Sequence, residues 1–305
     1  MKNAEAALRA AKRSGQKYLF YAPAMNAAVA EMLTLENKLR RAVERREFVL
    51  HFQPKYELVP NRLCGFEALI RWQDPDTGLV PPAKFIPVLE ETGMIGDVGR
   101  WVVRAALAQC QAWQGAGLQP LRVAVNVSPL QLRHPDFVAH IREAIAAHGG
   151  RGDNLELEIT ESLVMEDIES NIRKLTAIRD LGVMVSVDDF GTGYSSLGYV
   201  SKLPINALKI DRSFIVNMTS TPEALNIVQT IISLAHSSRF KVIAEGVDSE
   251  EQTKRRNCCA CCGATRCRAT ISASRCRQTR RRGCCSRNSP VSLNVMSAEI
   301  RNRGL

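Results

Sequence analysis

The chain has 305 residues, 45% of them apolar, and a formal net charge of +10, enough for one large domain plus extensions. It contains no run of 18 apolar residues that would predict a membrane span, and Met1–Phe20 lacks the apolar centre of a signal peptide, so the expectation is a cytoplasmic chain without a membrane segment. The charge suggests a nucleic-acid binder only until it is divided: residues 1–252 carry 28 Lys+Arg and 30 Asp+Glu, whereas residues 253–305 carry 13 Lys+Arg and one acid, Glu299.

Cysteine divides in the same way, with eight of the ten between Cys258 and Cys285. The two in the body, Cys64 and Cys110, read as small core residues in a reducing compartment. Both divisions place a boundary near Gln252. Before it, Ala24–Glu47 is a charged helical stretch, the linker of residues 24–46. Strand-like runs follow at Phe48–Phe52 and Leu63–Trp72, then a helix at Ile95–Gly115. A strand at Leu121–Val127 and a helix at Phe137–Ala147 come next, then a strand at Leu155–Thr160 and a helix at Ile168–Leu181 with Asp167 as its N-cap. The series closes with strands Val183–Asp188 and Ala207–Asp211, a helix at Glu223–Ala235 with Thr221 as its N-cap and Pro222 in its first turn, and a strand at Lys241–Val247.

Alternation of strand and helix predicts a parallel α/β fold. Seven units are countable before residue 252; a (β/α)8 barrel needs eight. A doubly wound open sheet is the rival, weakly disfavoured because no Gly-x-Gly-x-x-Gly follows the first strand.

In a barrel, chemistry sits at the C-terminal strand ends. Those ends carry Glu67 and Arg71, Asn126, Glu158 with Glu161, Asp188 with Asp189, Lys209 with Asp211, and Glu245. Buried strand carboxylates are unfavourable unless paired or bound to metal. Carboxylate and amide oxygens suit Mg²⁺ or Mn²⁺, and adjacent acids such as Asp188 and Asp189 can bridge two ions. Asp211 reads as structural. His51, His134, His140, His148 and His236 show no metal spacing, and Trp101 and Trp113 read as core.

Eight motifs in order then give a resemblance over about residues 47–252. They are Gln53-Pro54-Lys55, Phe66-Glu67-Ala68-Leu69-Ile70-Arg71-Trp72, Phe85-Ile86-Pro87 with Glu91-Thr92-Gly93, Asn126-Val127-Ser128, Glu158-Ile159-Thr160-Glu161, Asp188-Asp189-Phe190-Gly191, Lys209-Ile210-Asp211 and Ala244-Glu245-Gly246-Val247. The stretch resembles the EAL family of cyclic di-GMP phosphodiesterases. The resemblance implies a (β/α)8 TIM-like barrel that hydrolyses cyclic di-GMP to linear pGpG with two Mg²⁺ or Mn²⁺ ions. It implies that Glu67, Asn126, Glu158 and Asp188 hold one ion and that Asp188, Asp189 and Glu245 serve the second. It implies a catalytic set of Glu67, Lys209 and Glu245, with Lys209 positioning the attacking water. Gln53 and Arg71 would contact the dinucleotide, Glu161 would brace the loop after Asp188, and the barrel would form a homodimer. The alternative is a non-catalytic receptor that binds the same dinucleotide; the retained Glu67, Lys209 and Asp188 favour the enzyme.

Residues 1–23 resemble the last helix and strand of a GGDEF domain, in Asn3–Leu8, Ala11–Gly15 and Tyr18–Tyr21, which predicts that the chain starts inside a longer gene. The tail, residues 253–305, lacks the Gln-Gly-Tyr strand with which the family continues. Its cysteines fit no paired zinc pattern, and its arginines lack interleaved aromatics, so no specific nucleic-acid site is expected. Back-translating Asn257–Arg287 with free choice of synonymous codons, and reading one base earlier, permits an amphipathic helix followed by a strand with Gln-Gly-Tyr. This predicts a frameshift near Gln252–Lys254, an eighth β/α unit that is missing or replaced, a disordered tail, and impaired activity.

Overall fold

The computed structural model describes residues 3–4, 7–8, 11, 17, 19–20, 22, 24–57, 62–192, 200–218, 221–245 and 266–268. In chain order the elements are α1 (Ala24–Arg45), β1 (Phe48–Glu57), β2 (Arg62–Asp74), β3 (Gly78–Val80), α2 (Pro82–Glu91), α3 (Ile95–Gly115), β4 (Arg122–Asn126), α4 (Pro129–Arg133), α5 (Phe137–Ala147), β5 (Leu155–Thr160), α6 (Glu161–Glu166), α7 (Ile168–Asp180), β6 (Met184–Phe190), β7 (Ala207–Ile210), α8 (Arg212–Asn217), α9 (Pro222–Ser237), β8 (Lys241–Ala244) and β9 (Arg266–Arg268).

Local signals act as the sequence suggests. Asp167 accepts from Ser170 N at 3.3 Å to start α7, and Thr221 accepts from Ala224 N at 3.3 Å to start α9, with Pro222 in the first turn. The first strand runs five residues past its expected end at Phe52, because Gln53-Pro54-Lys55 interrupts the apolar run without ending the ladder. The β2–β3 hairpin was not read from sequence. Its turn is tied by Asp74, which accepts from Asp76 N at 3.2 Å and Thr77 Oγ1 at 2.7 Å, and Gly78 takes φ +77°.

The chain divides into two compact units. The first comprises the described residues of 1–49 and 71–98. Its core is Trp72 against Phe85 (centroids 6.2 Å) and Phe85 against Phe48 (5.7 Å). Trp72 Nε1 donates to Glu47 Oε2 at 3.0 Å, and Lys38 ties α1 to Asp74 at 3.0 Å and to Asp76 at 2.7 Å.

The second unit comprises the described residues of 50–70 and 99–301. Its strands pair in the order β1-β9-β8-β7-β6-β5-β4-β2, and β1 also pairs with β2, so the order closes on itself. From β2 through β4, β5, β6 and β7 to β8 every pairing is parallel, as an α/β barrel of the TIM-like (β/α)8 class requires. Two features depart from the regular pattern. β1 is antiparallel to β9, which is parallel to β8, so β1 runs against its neighbours; a four-residue connection to β2 permits this, whereas a parallel pair needs a long crossover. The eighth place is held by Arg266–Arg268 of the tail, with Ala244 opposite Cys267 and Tyr56 also opposite Cys267. The eighth strand is therefore replaced by a three-residue segment of the tail. The expected frameshift point near Gln252–Lys254, most of residues 1–23 and most of the tail lie outside the described residues.

All but the last residue of β5 are buried. Leu155, Leu157 and Ile159 alternate with Glu156 and Glu158, so an apolar row and an acidic row occupy opposite faces of one strand. This second, polar layer is what positions the site.

Candidate active site

Each charged side chain of the site comes from a strand or its C-terminal end. Register fixes their order: Asn126 lies opposite Glu158, and Thr160 opposite Asp188. Lys209 is the third residue of β7, and Glu245 follows the last residue of β8.

Lys209 is the centre. Its side chain is fully buried, and Nζ lies 2.6 Å from Glu158 Oε2, 2.7 Å from Asp188 Oδ2 and 2.8 Å from Glu245 Oε1. Nζ donates hydrogen bonds to Glu158 and Asp188, whereas Glu245 Oε1 meets it as an ion pair and, among the described residues, is a buried oxygen without a hydrogen bond. Glu158 is 1% exposed and is held from both sides, since Lys55 Nζ reaches its other oxygen, Oε1, at 2.8 Å. Lys55 also donates to Glu156 Oε1 at 3.3 Å, and Ser186 Oγ donates to that same oxygen at 2.9 Å. Glu67, 1% exposed, accepts from Asn126 Nδ2 at 3.1 Å, which leaves the Asn126 carbonyl oxygen as a donor atom for a cation.

The electrostatics follow from burial and these partners. Burial pushes the Glu158 carboxyl up, but Lys209 and then Lys55 outweigh it and hold it at about 2. Burial pulls the Lys209 ammonium down, while Glu158, Glu245, Asp188 and Glu67 raise it well above its usual range. Burial raises the Asp188 carboxyl; Lys209 opposes this, and the charges of Glu158 and Glu245 add to it. Lys55, opposed by burial, is raised by Glu158 and Glu156.

The loop after β6 is shaped by its backbone. The β6–β7 register shifts between Val187 and Phe190. Asp189, exposed, takes φ +52° and donates its N–H to Asp188 Oδ1 at 2.9 Å; Gly191 takes φ +100°. Buried Glu161, at the start of α6, accepts from Gly191 N at 2.8 Å. Thr192 Oγ1 donates to Asp189 O at 2.8 Å.

The structure thus brings Glu158, Asp188 and Glu245 together on Lys209, and Glu67 onto Asn126. Gln53 is half-buried on β1, two residues before Lys55. Arg71, on β2, is half-buried and belongs to the first unit. Asp211 caps α8 by accepting from Ser213 N at 2.9 Å, a structural role. Sequence reasoning missed Lys55, Glu156 and Ser186 as members of the network. The signal was period-two spacing: each lies two residues from a site position on its own strand, and so on the same face.

Among the described residues no group of three His, Cys, Asp or Glu side chains is assembled that could hold a metal ion; an ammonium stands between the acids instead. The donor chemistry nevertheless fits a divalent cation. Two buried ammonium groups, Lys55 and Lys209, face the five carboxylates Glu67, Glu156, Glu158, Asp188 and Glu245. That excess of hard anionic oxygen is what Mg²⁺ or Mn²⁺ would offset.

Comparison with known proteins gives the family. The EAL domain model matches residues 36–263, and the chain belongs to the EAL domain family. It is 42% identical over 254 residues to the bifunctional diguanylate cyclase/cyclic di-GMP phosphodiesterase MucR of Pseudomonas aeruginosa, covering 83% of this chain and 37% of that protein. It is 39% identical over 253 residues to the cyclic di-GMP phosphodiesterase NbdA of the same organism, covering 83% of this chain and 32% of that protein. The chain therefore spans about a third of the length of these relatives. Among solved structures, the PaMucR phosphodiesterase in complex with c-di-GMP is similar with a TM-score of 0.73 and 38% identity, covering 77% of this chain and 94% of that one. No helix among the described residues is long and apolar enough to cross a membrane.

Proposed function

We propose that this chain carries a phosphodiesterase domain that hydrolyses cyclic di-GMP to linear pGpG with two Mg²⁺ or Mn²⁺ ions. The observation that carries the reading is the buried excess of carboxylates at the ends of parallel strands, in a chain whose relatives are named for this activity. Glu67, Asn126, Glu158 and Asp188 would hold one ion, and Asp188, Asp189 and Glu245 the other. When bound, such ions ease deprotonation of a water and offset charge on the phosphoryl oxygens.

The protein's own groups do the rest. Lys209 positions the attacking water; two of its three donors are committed to Glu158 and Asp188, and the third serves that role. Gln53 and Arg71 contact the dinucleotide, with Arg71 able to fork to a phosphate. Glu161 braces the Asp188–Gly191 turn through its contact with Gly191 N. The tail supplies no Gln-Gly-Tyr, and we expect slower turnover than in a chain that has it. We also expect self-association through the barrel, which sedimentation of the purified chain would test.

The test is incubation of the full chain with cyclic di-GMP and Mn²⁺, with chromatography of the product. Formation of pGpG, its loss with EDTA and its loss in Glu67→Ala are the expected results. Undiminished turnover in EDTA or in Glu67→Ala would sink the two-metal reading. Tight binding of the dinucleotide with no turnover at any metal concentration would instead favour the receptor.

A further inference from the structure

Beneath the site lies a second polar layer. Glu156 and Ser186 each precede a member of the acidic cluster, Glu158 and Asp188, by two residues on the same strand. Lys55 comes from β1, a strand that pairs with neither β5 nor β6. Its Nζ takes Glu158 Oε1 at 2.8 Å and Glu156 Oε1 at 3.3 Å, and the side chains of all three residues are nearly inaccessible to solvent. The two oxygens of Glu158 are thereby given separate tasks. Oε1 is held from below by Lys55, and Oε2 faces Lys209 and, through it, Asp188.

We propose that Lys55 is a positioning residue that fixes Glu158 as a one-oxygen metal ligand, by keeping Oε1 engaged and Oε2 turned to the acidic cluster. The inference rests on the metal-dependent reading above. The physical reason is rotational. A glutamate side chain has three torsions, and a carboxylate held through one oxygen only can pivot about that contact. A second ammonium on the other oxygen removes the pivot. Lys55 is itself prevented from following Glu158, because its second acceptor, Glu156, is anchored by Ser186 Oγ at 2.9 Å.

The test must separate positioning from charge and from folding. In the full chain, Lys55→Met with Glu156→Met removes one positive and one negative group together, so the net charge of the network is unchanged. Replacing a buried pair by apolar side chains of similar volume is often tolerated. The readouts are thermal melting, binding of Mn²⁺ alone by titration calorimetry, and hydrolysis of cyclic di-GMP. Ser186→Ala is the graded variant, since it removes the anchor of Glu156 but leaves Lys55 on Glu158.

The expected result is a cooperative melt in both variants, Mn²⁺ affinity at least tenfold weaker in the double variant, and a smaller loss, of about twofold to threefold, in Ser186→Ala (tenfold being about 1.4 kcal/mol). In the hydrolysis assay at fixed Mn²⁺, kcat should fall in the double variant while KM for the dinucleotide stays within about twofold. Unchanged Mn²⁺ affinity in the double variant overturns the proposal. So does an equal loss in Ser186→Ala, or a double variant that no longer melts cooperatively, because Lys55 would then serve the fold rather than the site. A parent chain that binds no Mn²⁺ overturns both this inference and the metal-dependent reading, whereas binding in the parent with no effect of the double variant overturns this inference alone.

Discussion

Replacing Lys209 by Met keeps the volume of the side chain and removes the charge on which three carboxylates converge, at 2.6, 2.7 and 2.8 Å. The magnitude can be worked from Glu158. Its carboxyl is held at about 2 against the usual 4.5 of a glutamic acid, which corresponds to about 3 kcal/mol of favourable interaction in the folded state. Lys209 is the larger of the two cationic contributions. Its loss also leaves Asp188 and Glu245 facing Glu158 with, among the described residues, Lys55 as the one remaining ammonium in contact with that acid. Removing one partner of a buried ionic network destabilises by about 3–5 kcal/mol, and we expect a loss in that range near pH 7.

The sign of the pH dependence follows from the same groups. Glu158, whose folded carboxyl is depressed, contributes stability that is present above 4.5 and lost as pH falls toward about 2. Lys209, raised when folded, contributes stability that is complete below 10.5 and lost only as pH rises through its folded value. Asp188, raised mainly by burial, takes up a proton more readily when folded and so favours the folded chain in acid. In Lys209→Met the acids are relieved by protonation, so the gap between variant and parent must narrow as pH falls from about 7 to about 4. Urea unfolding of both chains at the two pH values is the assay. A difference below about 1 kcal/mol at neutral pH, within the range of a surface pair, or a gap that does not narrow in acid, would refute the reasoning.

Glu161→Gln exchanges a charge-assisted contact to Gly191 N, 2.8 Å in the parent, for a neutral one; steady-state kinetics should show kcat down by about tenfold, the equivalent of 1.4 kcal/mol, with KM little changed, and an unchanged kcat would remove Glu161 from the loop's support. Gly191→Ala places a Cβ at φ +100°, 3.0 Å from the Phe214 ring and 3.2 Å from Ile231 Cδ1; melting should fall by several degrees, consistent with about 1–3 kcal/mol of strain, and a variant as stable as the parent would show that the turn relaxes.

Much of this protein was already fixed by its sequence. Strand alternation with helices gave the barrel class because strands buried on both faces must read as apolar runs at regular spacing. Asp167 and Thr221 cap where they were expected to, because an N-cap is a local contact between a side chain and an amide three residues on. The acids at the strand ends were legible because a charge in an apolar run is unfavourable without a partner. What those charges do to one another was not legible. Lys55 and Glu158 are 103 residues apart and Lys209 and Glu158 are 51 apart, and no local pattern ties such positions together. Only closure of the strand order brings β1 to the acids of β5, and only register sets which acids share an ammonium. The same closure decided the eighth place. The composition of residues 253–305 argues against a core strand, yet backbone N–H and C=O groups pair without regard to side chain, and Arg266–Arg268 takes the place between β8 and β1.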